Sequence, residues 1–441
     1  MSLFGAMTTA IGGLTAQSGS FTNISDNIAN SQTVGYKRAE TNFTDYLSAS
    51  TPSENGSDSV VSTPSYVNNV QGTVTQSDNP LAMAISGQGF FPVSQANGSQ
   101  DGQTTFSGTQ YYTRAGDWQL NSQGYLVNSA GYYLNGWSVN PATGVANPST
   151  LAPIQVPQSS DPPQATGNVT LAANLPATPA TTGPIASQLQ VYDAQGTPHD
   201  IALNWKQTAA GQWTVQVVSP DNTNGTTDLG TANVTFGGAL GSGAAPPGTP
   251  SALAVDAADP GTIAVSSATS GQPATITFSA QFNNGPQQKI TLSLGNYGQG
   301  SGVTQFAGTQ YQLQTLTQDG QAPGSFTSVS TTTSGDIVAN YSNGKSQTIA
   351  QVPVATFAAP DQLQSQNGQA FTQTSASGNP LLNNPGAGAA GTLVTDSLEG
   401  SNVDLATELS NLIVAQQAYS ASAKVVTTAN EMLQTTVDMK Q

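Results

Sequence analysis

From Leu405 to Val437 the chain reads LATELSNLIVAQQAYSASAKVVTTANEMLQTTV. Steps of four and three run through Leu405, Leu409, Leu412, Gln416, Tyr419, Ala423, Val426, Asn430, Leu433 and Val437. This is the seam of a coiled-coil-like helix. Ser401, with Asp404 three residues later, is expected to cap its start, and Lys440 to sit in its last turn, where a positive charge suits the dipole. The same rhythm opens the chain: Leu3, Met7, Ala10, Leu14, the polar exception Gln17, Phe21, Ile24 and Ile28. Two helices of one pattern at opposite ends make everything between them an insertion.

That insertion reads as β. Ile276, Phe278, Ala280 and Phe282 alternate with polar residues, as do Ile290, Leu292 and Leu294, and Asn283-Asn284-Gly285-Pro286 lies between the two runs as a turn. A second hairpin joins Ile201, Leu203 and Trp205 to Trp213, Val215 and Val217 around Gly211. A third joins Ile337, Ala339 and Tyr341 to the Ile349 run across Asn343-Gly344. The Pro/Gly/Ala-rich stretch around 153–186 reads as a domain boundary, and the one around 238–261 as a long surface loop. The expected fold is mainly β with α-helical termini. Two β domains are inserted between N- and C-terminal helices that form a coiled-coil-like assembly domain. The expected domains are the terminal helices 1–30 and 402–441, an extended polar arm 31–72 over a neighbouring surface, an inner β domain 73–160 and 325–401, and an outer β domain 161–324.

Composition removes most chemistry. Of 441 residues, 8 are Lys or Arg and 24 are Asp or Glu, a formal net charge of −16. That leaves no basic face for phosphates, so nucleic acid is excluded as a partner. There is no cysteine for disulfides, thiolate catalysis or thiolate-bound metal, and a single histidine, His199, builds no His cluster. No catalytic, cofactor or metal residue is expected. His199, in Pro198-His199-Asp200, reads as a surface-turn residue. The carboxylate pairs Asp256/Asp259 and Asp101/Asp117 lack the converging third group that calcium or glycoside chemistry needs. Trp118, Trp137, Trp205 and Trp213 read as core rather than a sugar site, and Lys37-Arg38 as a solvated pair or a contact to a neighbouring subunit. No run reaches the length of a membrane span. The first residues lack the basic start and apolar centre of a cleaved signal, so export is expected by a route that needs none.

The first helix carries Gly5, Gly12, Gly13 and Gly19, each costing about 1 kcal/mol relative to Ala. The pattern suits an antiparallel helical hairpin closing one domain. With those glycines, the sharper expectation is an element that orders when subunits stack. The residues expected at that polymerisation interface are Leu3, Met7, Leu14, Phe21, Ile24, Ile28, Leu405, Leu409, Leu412, Tyr419, Val426, Leu433 and Val437.

Several motifs, in order, resemble the flagellar rod–hook axial family. Asn27-Ile28-Ala29-Asn30, a spacer, then Gly35-Tyr36-Lys37-Arg38 is similar to its N-terminal signature, of which Asn27, Asn30, Gly35, Tyr36 and Lys37 are the marks. Asn79-Pro80-Leu81 through Gly87-Gln88-Gly89-Phe90-Phe91, then Tyr112-Thr113-Arg114-Ala115-Gly116-Asp117-Trp118 and Gly124-Tyr125-Leu126-Val127, resemble the start of its shared β domain. Tyr341-Ser342-Asn343-Gly344 sits where the family's returning strand would be. Ser401 to Leu405, Ala415 to Tyr419 and Glu431-Met432-Leu433-Gln434 resemble its C-terminal motif. Two departures, the Ser31-Gln32-Thr33 spacer and Gln417 in place of a common Arg, touch local contacts only.

The resemblance implies a hook-type member rather than a shorter rod type, because 161–324 is long enough for an extra β domain. It implies a curved, flexible helical tube acting as a universal joint between motor and filament, located outside the cell. The implied partners are other copies of the chain, the distal rod, hook cap, hook-length control and hook–filament junction proteins, and the flagellar type III export apparatus, with no membrane insertion. The alternatives are a distal rod or other axial protein, and a secreted β-rich binding protein.

Overall fold

The computed structural model describes residues 3–51, 54–100, 102–140, 143–241 and 243–439. Helix α1 spans Leu3–Ala29 and helix α2 spans Leu405–Asp438, with β structure between them. The start of α2 differs from expectation. Asp404, not Ser401, is the N-cap: it sits in an extended conformation and its Oδ1 accepts the Thr407 N–H at 2.8 Å. An Asp directly before the helix satisfies one of the orphan N–H groups that a residue three positions earlier cannot reach. Lys440 lies outside the described residues.

The chain divides into two compact units, Met1–Gln158 with Thr327–Asn340 and Ser346–Gln441, and Ser159–Phe326 with Tyr341–Lys345. In the first unit α1 and α2 run antiparallel, Gly13 lying near Ser422 and Phe21 near Tyr419, ring centroids 6.1 Å apart. The segment expected as an extended polar arm over a neighbouring surface lies against α1 of its own chain. Strands β1 (Ala39–Thr51) and β2 (Glu54–Tyr66) pair antiparallel with each other, which satisfies the backbone groups of a polar sequence. The side chains of Asn23 and Asn27 in α1 bond to Thr41 and to the backbone of Ala39. Two short ladders then close the start of the β region on its end: Val74–Gln76 pairs Ser397–Glu399, and Met83–Ser86 pairs Thr392–Thr395. The body of this unit is a larger sheet in which Tyr132–Val139 and Phe91–Gln100 are central neighbours. Trp118 and Trp137 are buried in it.

The second unit contains two sheets. Five antiparallel strands follow in chain order: Ile185–Tyr192, Pro198–Ala209, Gln212–Val218, Asp228–Leu240 and Gly243–Val255. The other sheet has Asn168–Pro176 parallel to Gln287–Asn296 and Val303–Phe306 and antiparallel to Gln312–Gln318. Alternate residues of both sheets, among them Leu171, Trp205, Trp213, Val234, Phe278 and Leu292, fill one core. All three expected hairpins form. Asn283 and Asn284 adopt the positive φ of a tight turn, and Gly211 and Gly344 do the same at theirs.

Two expectations fail here. Of the stretch expected as a surface loop, residues 238–240 and 243–255 belong to two paired strands, Asp228–Leu240 and Gly243–Val255. The second is an edge strand, where Pro246, Pro247 and Pro250 need donate no hydrogen bond to a further neighbour. His199 is not a surface-turn residue either. It lies in strand Pro198–Ala209 at 6% exposure, stacked on Phe282 at 4.2 Å between centroids, with Asp193 and Asp221 within 3.3 and 3.1 Å of its two ring nitrogens. The turn reading failed because the strand begins at Pro198 itself and places the ring inside.

Candidate functional site

The helix pair and its junction with the β body gather most of the motif residues. On α1, Ala16, Ser20, Ile24 and Asn27 are buried, and Met7, Leu14, Phe21 and Ile28 are half-buried; the side chain of Leu3 lies outside the described positions. On α2 the buried residues are Glu408, Ala415 and Ala429, with Leu412, Val426 and Leu433 half-buried between them. Small residues at the contact let two backbones approach closely.

The seam read from the sequence therefore splits. Leu412, Val426 and Leu433 belong to the contact face, as does Tyr419, 43% exposed but edge-on to Phe21 of α1 at 6.1 Å, whereas Leu405, Leu409 and Val437 are 44%, 52% and 60% exposed. Ile413, Val414, Val425, Met432 and Met439, none of them on the expected seam, are exposed as well. At 3.6 residues per turn, Val414, Val425, Met432 and Met439 fall on one line along α2. Leu405, Leu409 and Ile413 fall on the other side of the face that packs on α1. Helix α2 thus has apolar side chains on three sides, and its own chain covers one.

At the foot of the helices four chain segments cross. Glycines allow the approach: a Cβ on Gly35, which has φ +69°, would lie 2.4 Å from the Ala115 nitrogen, and one on Gly72 would lie 2.0 Å from the Gly400 carbonyl oxygen. Inside the crossing sits Glu399, with no exposed side-chain surface. Its Oε1 accepts from Lys37 Nζ at 2.6 Å and the Gly72 N–H at 2.9 Å, and its Oε2 accepts from Arg114 Nη1 at 2.9 Å. Lys37 also donates to the Val70 carbonyl, and Arg114 to those of Ile85 and Gly87 while lying over the Phe90 ring. Asn402 completes the crossing, accepting from the Arg38 N–H and donating to the carbonyls of Val67 and Val70.

Lys37 is consequently neither solvated nor open to a neighbouring subunit; only Arg38 keeps exposure, in a pair with Glu40 at 2.7 Å. Burial pushes the Lys37 ammonium below its ordinary value, opposed by the attraction of Glu399, and Arg114 is lowered for the same reasons. Burial also pushes the Tyr36 phenol up to about 12 and raises Glu408, against the bond from Asn27. Of the signature residues, Asn27, Gly35, Tyr36 and Lys37 meet at this crossing, the Tyr36 hydroxyl donating to Asn27 Oδ1 at 3.2 Å. Asn30 instead caps its own turn through the Asp26 carbonyl and Thr33. Sequence reasoning missed Glu399 and Arg114 as partners. The available signal was their rarity: in a chain with 7% charged residues, a lone charge inside an apolar motif is seldom idle.

The other candidates are local structure. Asp259 accepts from Thr231 and Asp256 from the Ala258 N–H, Asp117 accepts from the Ser129 N–H, and Asp101 lies outside the described residues. Among the described residues no group of His, Asp and Glu is placed to hold a metal, and no helix is long and apolar enough to cross a membrane.

Three family descriptions match in chain order. "Flagellar hook protein FlgE/F/G D1 domain" matches residues 84–174, "Flagellar basal body protein FlaE D2 domain" 158–321, and "Flagellar basal body rod FlgEFG protein C-terminal" 394–439. Over its whole length the chain is 31% identical to the flagellar hook protein FlgE of Brucella abortus, with 100% of both chains covered. It is 30% identical to that of Salmonella typhimurium, covering 98% of this chain and 99% of the other. The flagellar hook protein FlgE2 of Helicobacter pylori superposes with a TM-score of 0.49 at 13% identity, covering 74% of this chain and 100% of that one.

Proposed function

This chain belongs to the flagellar hook protein family and is a structural subunit of the hook, and from that premise we propose how it assembles. The observation that carries the proposal is the pair of uncovered apolar lines on α2, Val414–Val425–Met432–Met439 on one side and Leu405–Leu409–Ile413 on the other. Leaving such stripes in water is costly, and each is offered to a neighbour. The two lines differ in sequence and lie on different sides. A contact between unlike faces is head-to-tail, and unless its rotation closes a ring it generates an open helix. We infer a tube with α1 and α2 in its wall, completed subunit by subunit, with helical order strengthened on stacking.

The family reading supports a curved, flexible tube that works as a universal joint outside the cell. Its further partners would be the distal rod, hook cap, hook-length control and hook–filament junction proteins, with delivery by the flagellar type III export apparatus. The role is mechanical, not enzymatic. Electron microscopy of the purified full-length protein under conditions that favour assembly is the test. Curved tubes are expected; a protein that stays monomeric, or closes into dimers, overturns the head-to-tail reading.

A further inference from the structure

Helices built to be finished by neighbours place a demand on the rest of the subunit: their direction relative to the β body must be set before the neighbours arrive. The crossing at the foot of the helices is where that direction is decided, because every covalent path between helix and β body runs through it. Residues 35–37 leave α1, residues 70–72 return from the β1–β2 hairpin, and residues 399–402 lead into α2. The Gly35 N–H donates to the Glu399 carbonyl oxygen at 2.8 Å, so the exit of one helix is bonded to the entry of the other.

We propose that Glu399 is a positioning residue for assembly, an ionic pin that fixes how the helix pair leaves the β body. This rests on the reading of the chain as a polymer subunit. Three groups donate to its one carboxylate, and they come from three separate segments: Lys37, Gly72 and Arg114. Among the described residues of the crossing, Glu399 takes bonds at once from the α1 exit, the hairpin return and Arg114 of the β body, while Lys37 spans the exit and the return through the Val70 carbonyl and reaches Arg114 only through Glu399. A buried ion cluster of this kind adds little net stability, because desolvation offsets the attraction. What it does enforce is geometry, since an alternative arrangement leaves a charge buried without its partner. The cluster holds two cations against one anion, so it is poised: removing the anion leaves Lys37 and Arg114 facing each other in an enclosed site. Asn402 acts alongside as a neutral brace, but its partners Arg38, Val67 and Val70 all lie on the helix-and-hairpin side.

The pin is distinguishable from ordinary core packing. The four tryptophans, Trp118, Trp137, Trp205 and Trp213, all lie in the β region, so their near-ultraviolet signal reports the β body and not the crossing. Hydrogen exchange at 70–76 and 397–402 reports the crossing itself. The variants are Glu399→Gln, which leaves two buried cations, and the double variant Lys37→Gln with Glu399→Gln, which restores a single net buried charge.

In the full-length chain, Glu399→Gln is expected to keep the tryptophan signal and the main melting transition. Exchange at the crossing should accelerate on the order of 100-fold, as expected for a buried pair that loses one partner. Tubes should fail to form, or form with altered curvature. The double variant should recover part of both protection and assembly. Wild-type curvature with Glu399→Gln overturns the pin. So does loss of the β-body signal in both variants, which would make Glu399 a residue of general folding. So does a double variant no better than the single one, since the effect would not be one of unbalanced charge. Wild-type protein assembled in parallel is the control for the polymer reading itself; its failure to form tubes counts against that reading and not against the pin.

Discussion

The helix pair and the second β unit are built from the same modest supply of apolar residues and use it in opposite ways. In the strands of 159–326, nearly every inward residue is buried: Leu203, Trp205, Val215, Val234, Ile276 and Leu292 have 1% exposure or less. On α2, only Glu408, Ala415 and Ala429 are buried over 34 residues, while Leu409, Val414 and Met432 stay more than half exposed. Two facing sheets shield each other's inner faces and finish a core by themselves. An isolated pair of helices shields one stripe on each and leaves the rest. The lesson is that exposure of large apolar residues, confined to one element while the other is saturated, separates the part that completes itself from the part that others complete.

The largest effect expected is in the saturated unit. Trp205→Ala should destabilise its core by about 3–5 kcal/mol, seen as a lower melting temperature of the β signal in the monomer, while helix content changes little. If the helices melt with it, the two regions are not independent and the contrast breaks.

Next come two substitutions one turn apart on α2. Leu409→Asp places a charge on an uncovered stripe; it should leave monomer melting unchanged and abolish tube formation. Leu412→Asp places it against α1, where burying an unpaired charge is costly, so it should both loosen the helix pair and block assembly. Circular dichroism of the monomer and electron microscopy of the polymer read the two effects separately. Equal loss of monomer helix in both variants would remove the distinction between the inner face and the outer stripes.

The smallest effect concerns two carboxyls in the first turn of α2, which pull in opposite directions. Asp404 is held below its ordinary 3.8 by the backbone N–H of Thr407, so its contribution is complete above that value and is lost as pH falls through the depressed pKa. Glu408 is pushed above its ordinary 4.5 by burial. It therefore favours the folded state when protonated, and that contribution fades as pH rises through its raised pKa. Helix pairing should be tightest between the two ordinary values, near pH 4, and weaken slightly toward neutrality. Glu408→Gln, neutral at every pH and still able to bond Asn27, should remove the decline on the alkaline side. A pH series of helix content checks it; an unchanged slope in the variant would show that Glu408 is not the group responsible.

Periodicity alone exposed the architecture. The spacing from Leu405 to Val437 and from Leu3 to Ile28 marked both helices, and strict alternation marked the three hairpins, because one-sided burial imposes a period of its own on each element. Strand pairing at 238–255 was hidden, since its prolines and glycines are legible as a strand only once that strand is known to be an edge. The burial of His199 was hidden too, because whether a residue beside a turn faces inward depends on where its strand starts and what lies above it.

What the sequence determined by itself was the two terminal helices, the three hairpins between them, the family and the absence of cysteine chemistry. Each of these follows from local pattern or residue identity. Tertiary structure alone decided which face of α2 packs on α1, and so which apolar residues remain for other subunits. A four-and-three rhythm draws a helix with apolar residues on several sides, and the close fit of Ala415 and Ala429 against α1 selects among them. It alone also brought Lys37, Arg114 and Glu399, up to 362 positions apart, to one carboxylate. Charge pairing acts through space, and no pattern along the chain records how far apart its partners stand in sequence.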